Sequence, residues 1–234
     1  MNIVVTGASK GIGKAVAEAF AVRYPGCHLM LCARHMSGTM SWQQALSASH
    51  GCKVTAFDAD LSKREGVEAF ADHVLQACDV VDVLVNNAGF FEPGTVHEEP
   101  EGTLERMLDI NLLSAYHLTR RLLPGMKARR SGHVFNICSV AALQAYPNGG
   151  AYSISKWALL GFSRNLREEM KPHGIKVTAV HPGATLTASW DGFQIDPSRI
   201  MESGDVAAMI TTAASLSPQA CVEDILLRPQ LGDL

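Results

Sequence analysis

Tyr152 and Lys156 stand four residues apart in a segment whose pattern predicts a helix over Tyr152–Lys171, which puts the phenol and the ammonium on one helix face. An ordinary tyrosine has a pKa of about 10, and a neighbouring cation favours the phenolate. The spacing therefore predicts a tyrosine with a lowered pKa, usable as a general acid or base nearer neutral pH. Ser139 ends the apolar run His133–Cys138 and offers a hydroxyl that can hydrogen-bond a carbonyl oxygen, while Asn111 lies upstream. Each of these residues alone reads as structural, but their order and spacing make Asn111, Ser139, Tyr152 and Lys156 a candidate catalytic set.

A second constellation has the chemistry of phosphate binding. Thr6-Gly7-Ala8-Ser9-Lys10-Gly11-Ile12-Gly13 follows a strand-like run and opens a helical one. Glycines at such a junction let the backbone approach a pyrophosphate, whose charge then meets the positive end of the helix. The second strand ends in Ala33-Arg34-His35, without the acidic residue that would hold a ribose 2′-hydroxyl. Arg34 matches the geometry of a 2′-phosphate, and Ser9 and Lys10 can add to that site, so NADP(H) is expected in preference to NAD(H). A solvated loop cation is the other reading of Arg34. Asp60-Leu61 and Asn86-Asn87-Ala88-Gly89 end the third and fourth strands, Asp60 being equally suited to cap the next helix. Pro182, Gly183 and Thr187 follow the sixth strand and suit the lining of a nicotinamide.

These residues need elements to hold them. Strand-like runs at Ile3–Thr6, His28–Cys32, Lys53–Phe57, Val81–Val85, His133–Cys138, Lys176–Val180 and Val222–Leu227 are separated by helical patterns near Gly11–Arg23, Ser41–Ser49, Lys63–Cys78, Thr103–Arg129 and Tyr152–Lys171. Near-continuous apolar strands such as Val83-Leu84-Val85 imply burial on both faces. The alternation predicts an α/β fold, a single-domain Rossmann-type doubly wound parallel sheet of about seven strands with helices on both faces. Residues 1–234 read as one dinucleotide-binding and catalytic domain. Ala188–Gly204 reads as a mobile substrate loop with a short helix, of the kind that closes over active sites.

A net charge of −3 gives no basic footprint for nucleic acid or an anionic membrane. The first strand starts at the second residue, which leaves no room for a signal peptide, and no apolar run reaches membrane-spanning length. The six cysteines form no Cys-x-x-Cys pair and read as buried free thiols of a reducing compartment, with neither disulfides nor a metal site. A cytoplasmic location is expected.

Together the motifs resemble the short-chain dehydrogenase/reductase family, from Ile3 to about Thr187. The resemblance implies that Gly7, Gly11, Ile12, Gly13, Asp60, Leu61, Asn87, Ala88 and Gly89 bind cofactor together with Tyr152 and Lys156. It also implies a tetrad of Asn111, Ser139, Tyr152 and Lys156, in which Tyr152 protonates a carbonyl oxygen and Lys156 lowers its pKa. Asn111 would hold a water for proton relay. The ending Val222–Pro229 and Gly232-Asp233-Leu234 is similar to bacterial sepiapterin reductase-like members. That implies an NADPH-dependent carbonyl reductase acting on a small ketone or diketone, sepiapterin among them. A 3-oxoacyl-[acyl-carrier-protein] reductase is the alternative, and a non-catalytic nucleotide-binding regulator the third reading. Candidate pocket walls are Ser139, Gln144, Tyr146 and Trp190, with Phe90, Phe91, Val140, Leu143 and Phe193, and Asp233 can reach the amino groups of a pterin. The family commonly pairs subunits along the two long helices, so a homodimer or homotetramer is expected.

Overall fold

The computed structural model describes residues 1–187 and 196–233. Seven strands form one sheet: β1 (Asn2–Thr6), β2 (His28–Ala33), β3 (Lys53–Asp58), β4 (Val83–Asn86), β5 (Gly132–Ile137), β6 (Ile175–Pro182) and β7 (Asp224–Leu227). All pairings are parallel, in the order β3-β2-β1-β4-β5-β6-β7. The order reverses between β1 and β4, the switch point where open sheets of this kind bind ligands beyond the carboxyl ends of the strands. The helices are α1 (Gly11–Arg23), α2 (Met40–His50), α3 (Arg64–Ala77), α4 (Thr103–Leu108), α5 (Ser114–Arg129), α6 (Gly150–Met170) and α7 (Ser203–Ala214).

Alternate strand residues explain why both faces are covered. Ile3, Val5, Val83, Val85 and Phe135 enter one core with Phe20 of α1 and Val206 and Ile210 of α7. Val4, Leu84 and Val134 enter the other with Phe70 and Val74 of α3, Leu118 and Leu122 of α5 and Leu166 of α6. A period of two on a sheet with helices on both sides yields near-continuous apolar strands. The six cysteines are free, as expected, but Cys221 is exposed and Cys78 only partly buried.

Two elements depart from the sequence reading. The expected helix Thr103–Arg129 is interrupted by a π-helical segment, Asp109–Leu113, that contains Asn111; such bulges recur at functional sites. Helix α7 was not anticipated, because an Ala- and Thr-rich segment carries only a weak amphipathic stripe. Its legible signal is a capping box, in which Glu202 and Asp205 each bond the other's backbone N–H. The expected loop Ala188–Gly204 is therefore cut short by α7, and residues 188–195 lie outside the described residues. The ends of that segment meet in a bridge between Thr185 and Met201.

A buried polar chain aligns the helices that carry the candidate set. Asn86 Nδ2 at the end of β4 donates to Thr119 Oγ1 of α5 at 2.9 Å and to Asn136 Oδ1 of β5 at 2.8 Å. Asn136 Nδ2 donates to Ser163 Oγ of α6 at 2.8 Å. Asn86, Thr119, Asn136 and Ser163 are all buried, so each unmet group would pay its full desolvation cost. Asn136→Ala is expected to cost about 2–4 kcal/mol in urea unfolding; a loss under about 0.5 kcal/mol would show that the chain contributes nothing net.

Candidate active site

A cleft of about 1010 Å³ runs along the carboxyl ends of the strands. At one end lies the turn between β1 and α1. Gly7 and Gly11 have φ of 65° and 57°, a left-handed conformation open to glycine. A Cβ on Gly7 would stand 2.8 Å from Asn87 Nδ2, and one on Gly11 3.1 Å from the Thr187 methyl. Ser9, Lys10, Gly11 and Ile12 line the cleft. Gly13 does not: it lies under the turn, where a Cβ would overlap Asn87 Nδ2 and the Gly7 carbonyl.

Asn87 has a structural task besides lining the cleft. Its Nδ2 donates to the Thr6 and Gly7 carbonyls at 2.9 and 3.1 Å, and the N–H groups of Asn87 and Ala88 both donate to Thr6 Oγ1 at 2.9 Å. The side-chain amide is thus spent on holding the glycine turn to β4. Asn87, Ala88 and Gly89 still line the cleft.

Arg34 is exposed on the cleft wall beside His35. Asp58 ends β3 next door, and its Oδ1 accepts from the N–H groups of Met36 and Ser37 at 2.5 and 3.3 Å. The nearby carboxylate is therefore committed to shaping the Arg34 loop. Asp60 does not cap α3, whose N-cap is Lys63. Its Oδ1 accepts from Ser62 N–H at 3.1 Å and Ser62 Oγ–H at 2.7 Å, and the Ser62 hydrogen bond lowers the Asp60 carboxyl pKa. Leu61 is buried beneath.

Ser139, Tyr152 and Lys156 line the other end, and Pro182, Gly183 and Thr187 also line the cleft. Ser139 ends β5 and caps a short 3-10 turn, its Oγ accepting from Ala141 N–H at 3.1 Å. Lys156 is buried, donates to the Ile137 carbonyl at 2.8 Å, and stands 5.7 Å from the Tyr152 ring centroid. Burial brings its pKa down from 10.5 to about 8. The expected lowering of the Tyr152 pKa is corrected. Desolvation raises it above 10.0, with the Ser139 hydroxyl pulling the other way. The ammonium is turned to a backbone carbonyl rather than to the phenolic oxygen, so burial outweighs charge.

Asn111 is buried and stands outside the cleft wall. Its Oδ1 accepts from Phe90 N–H at 2.7 Å, and its Nδ2 donates to the Phe90 carbonyl at 3.0 Å and to Ser155 Oγ at 2.9 Å. Both Nδ2 donors are thus engaged, while Oδ1 accepts a single N–H and keeps one acceptor position. The side chain ties the Phe90 loop to α6.

Among the expected pocket walls, Tyr146, Val140, Phe90 and Phe91 line the cleft. Gln144 is exposed and outside it, as the 3-10 turn after Ser139 carries it away, and Leu143 is likewise outside. Trp190 and Phe193 lie outside the described residues. Asp233 does reach the cleft. It accepts from the Tyr146 hydroxyl and pairs with Arg228, which also donates to Tyr146 at 2.9 Å.

The family profile described as short chain dehydrogenase matches residues 1–196. The chain belongs to the short-chain dehydrogenase family. It is 30% identical to sepiapterin reductase of Chlorobaculum tepidum, over 99% of this chain and 97% of that protein. A solved alcohol dehydrogenase from the archaeon Thermococcus sibiricus, complexed with 5-hydroxy-NADP, is similar at a TM-score of 0.90 and 29% identity, covering 98% and 96% of the two chains. L-sorbose reductase from Gluconobacter frateurii, complexed with NADPH and L-sorbose, gives 0.89 and 27%, covering 97% and 95%.

In this short-chain dehydrogenase, an expected pocket wall and two groups outside the motifs also shape the site. Phe91 packs edge-on against Tyr152, ring centroids 4.8 Å apart. Asp58 and the Ile137 carbonyl set Arg34 and Lys156; their partners are distant in sequence, and no local pattern marks them. The depressed Lys156 pKa has a consequence for stability. Between about pH 8 and 10.5 the unfolded chain binds the proton more readily than the native one, so stability rises with pH across that window. Wild-type urea stability should gain up to roughly 1.4 kcal/mol per pH unit over Lys156→Met between pH 8 and 9.5; parallel pH dependences would place Lys156 at its ordinary value.

Proposed function

We propose that the protein is an NADP(H)-dependent carbonyl reductase acting on a small ketone or diketone, with Tyr152 as proton donor. The observation that carries this reading is one continuous cleft with a glycine turn and Arg34 at one end and Ser139, Tyr152 and Lys156 at the other. The fit to a dinucleotide rests on the cradle itself. Gly7 and Gly11 leave room where a Cβ would crowd Asn87 or Thr187. Arg34 and Lys10 offer exposed cations to a 2′-phosphate, and Asp58 is held away by its two backbone bonds. The NADP-bound short-chain dehydrogenases above support the same choice.

When bound, NADPH supplies the hydride. The protein's own part is positioning and proton transfer. Ser139 holds the carbonyl oxygen through its hydroxyl, and Tyr152, kept protonated by its raised pKa, gives its proton to that oxygen. Of the three donors on Lys156, one is spent on Ile137, leaving two to hold a ribose hydroxyl. A phenol that stays neutral through the physiological range suits reduction, where it must arrive as an acid.

A sepiapterin-type substrate is favoured within this class. Phe90, Phe91 and Tyr146 give aromatic walls for a flat ring, and Asp233 brings a carboxylate whose buried Oδ1 has no hydrogen-bond partner among the described residues. Amino groups of a pterin satisfy such an acceptor. For assembly, Leu113 and Trp157 stay exposed beside a groove between α5 and α6, which suits a second copy of the chain; Leu118 and Leu160, by contrast, are filled into the cores.

Purified protein should consume NADPH with sepiapterin and not with an acetoacetyl thioester. Tyr152→Phe should lower kcat about 10²–10⁴-fold with NADPH binding unchanged; retained turnover sinks the proton-donor role, and thioester turnover alone promotes the alternative. Arg34→Asp should raise the KM for NADPH at least tenfold more than that for NADH, whereas equal changes would remove Arg34 from the 2′-phosphate site.

A further inference from the structure

Helix α6 carries Tyr152 in its first turn, yet its own sequence supplies no cap. The N-cap position is Gly149, with no side chain to accept a backbone N–H. The acceptor comes from fifty-two residues upstream: both carboxylate oxygens of Glu99 accept from the Ala151 N–H, at 2.9 and 3.1 Å. The surrounding backbone is shaped to admit it. A Cβ on Gly150 would overlap Glu99 Oε1, and one on Gly94 would lie 2.6 Å from Glu99 Cγ. Gly94 N–H in turn donates to the Asn148 carbonyl at 3.1 Å, and Glu99 N–H to the Thr95 carbonyl at 2.9 Å. The loop that carries Phe90 and Phe91 is thus fastened to the start of α6 one residue before Tyr152.

We propose that Glu99 is a positioning residue for the reaction: its carboxylate caps α6 from outside and sets the place of the Tyr152 phenol relative to Ser139. The proposal rests on the carbonyl-reductase reading above for its kinetic readout, and on that reading alone for what Tyr152 does. It predicts that the acceptor oxygen matters and the charge does not, since one oxygen suffices for a single N–H. A misplacement of about 1 Å at a reacting group can cost on the order of 10²-fold.

The test compares Glu99→Ala, Glu99→Gln and, as a control, Glu98→Ala, whose exposed carboxylate reaches Thr95 and His97 among the described residues. Two readouts are taken: kcat with NADPH and sepiapterin, and hydrogen exchange of the peptide spanning Gly149–Ser155. Glu99→Ala should lower kcat about 10- to 100-fold, leave the NADPH dissociation constant within about twofold, and speed exchange in that peptide. Glu99→Gln should recover kcat to within about threefold of wild type, and Glu98→Ala should match wild type. Glutamine behaving like alanine, unchanged exchange, or kcat and NADPH binding falling together in Glu99→Ala would each overturn the proposal. If Glu99→Ala does not fold, Glu99→Gln decides it, through its kcat and its exchange. Exchange is measured without substrate, so a wild type silent on sepiapterin removes the sepiapterin-type substrate, moves the kinetic arm to another small ketone or diketone, and leaves the cap itself tested.

Discussion

Parallel strands covered by helices on both faces have one place left for chemistry, the row of carboxyl ends where backbone and polar side chains reach solvent. Most of the candidate site stands on that row, and α6 brings Tyr152 and Lys156 over it. The glycine turn leaves β1, Arg34 leaves β2, Asp60 leaves β3, Asn87 leaves β4, Ser139 leaves β5 and Gly183 leaves β6. The strand order decides which of these are neighbours. Because β4 lies beside β1, Asn87 can hold the glycine turn through Thr6 and Gly7. Because β5 lies beside β4, Asn136 can join Asn86 to α6.

Much of the polar chemistry at this edge is spent on geometry. Asn87, Asn111, Asp58 and Asp60 all have the residue types of ligand contacts, and each directs its side chain to backbone or a neighbouring hydroxyl. A cleft wide enough for a dinucleotide needs loops held without a hydrophobic core beneath them, and side-chain amides and carboxylates do that by satisfying N–H and C=O groups that loops leave open. Among the described residues, Arg34, Lys10, the hydroxyls of Ser139 and Tyr152 and the remaining donors of Lys156 are polar groups that line the cleft.

Electrostatics at the catalytic end follow burial more than proximity. A lysine four residues from a tyrosine on a helix brings a charge near the ring, yet the Nζ bond to Ile137 turns that charge to the backbone. Desolvation then moves the two pKa values apart, the phenol up from 10.0 and the ammonium down from 10.5 to about 8. Both changes favour the neutral forms, the direction in which desolvation acts.

The sequence by itself determined the sheet, the glycine turn and the Ser139, Tyr152 and Lys156 set, because each depends on spacing within one element or across one turn: a period of two in the strands, four residues on α6, Gly-x-x-x-Gly-x-Gly at a strand–helix junction. It also carried the absence of an acid after β2, which lies at a fixed point in the chain. Only the tertiary structure decided the work of Asn87, Asn111, Asp58 and Glu99 and the direction of the Tyr152 pKa. Their partners lie between 21 and 81 residues away, and burial of a phenol depends on what packs around it, so no local pattern encodes either. Helix α7 sits between these cases: its capping box is local, but its small residues give little amphipathic signal, and its place is fixed by Val206 and Ile210 packing with Phe20 of α1 in one core.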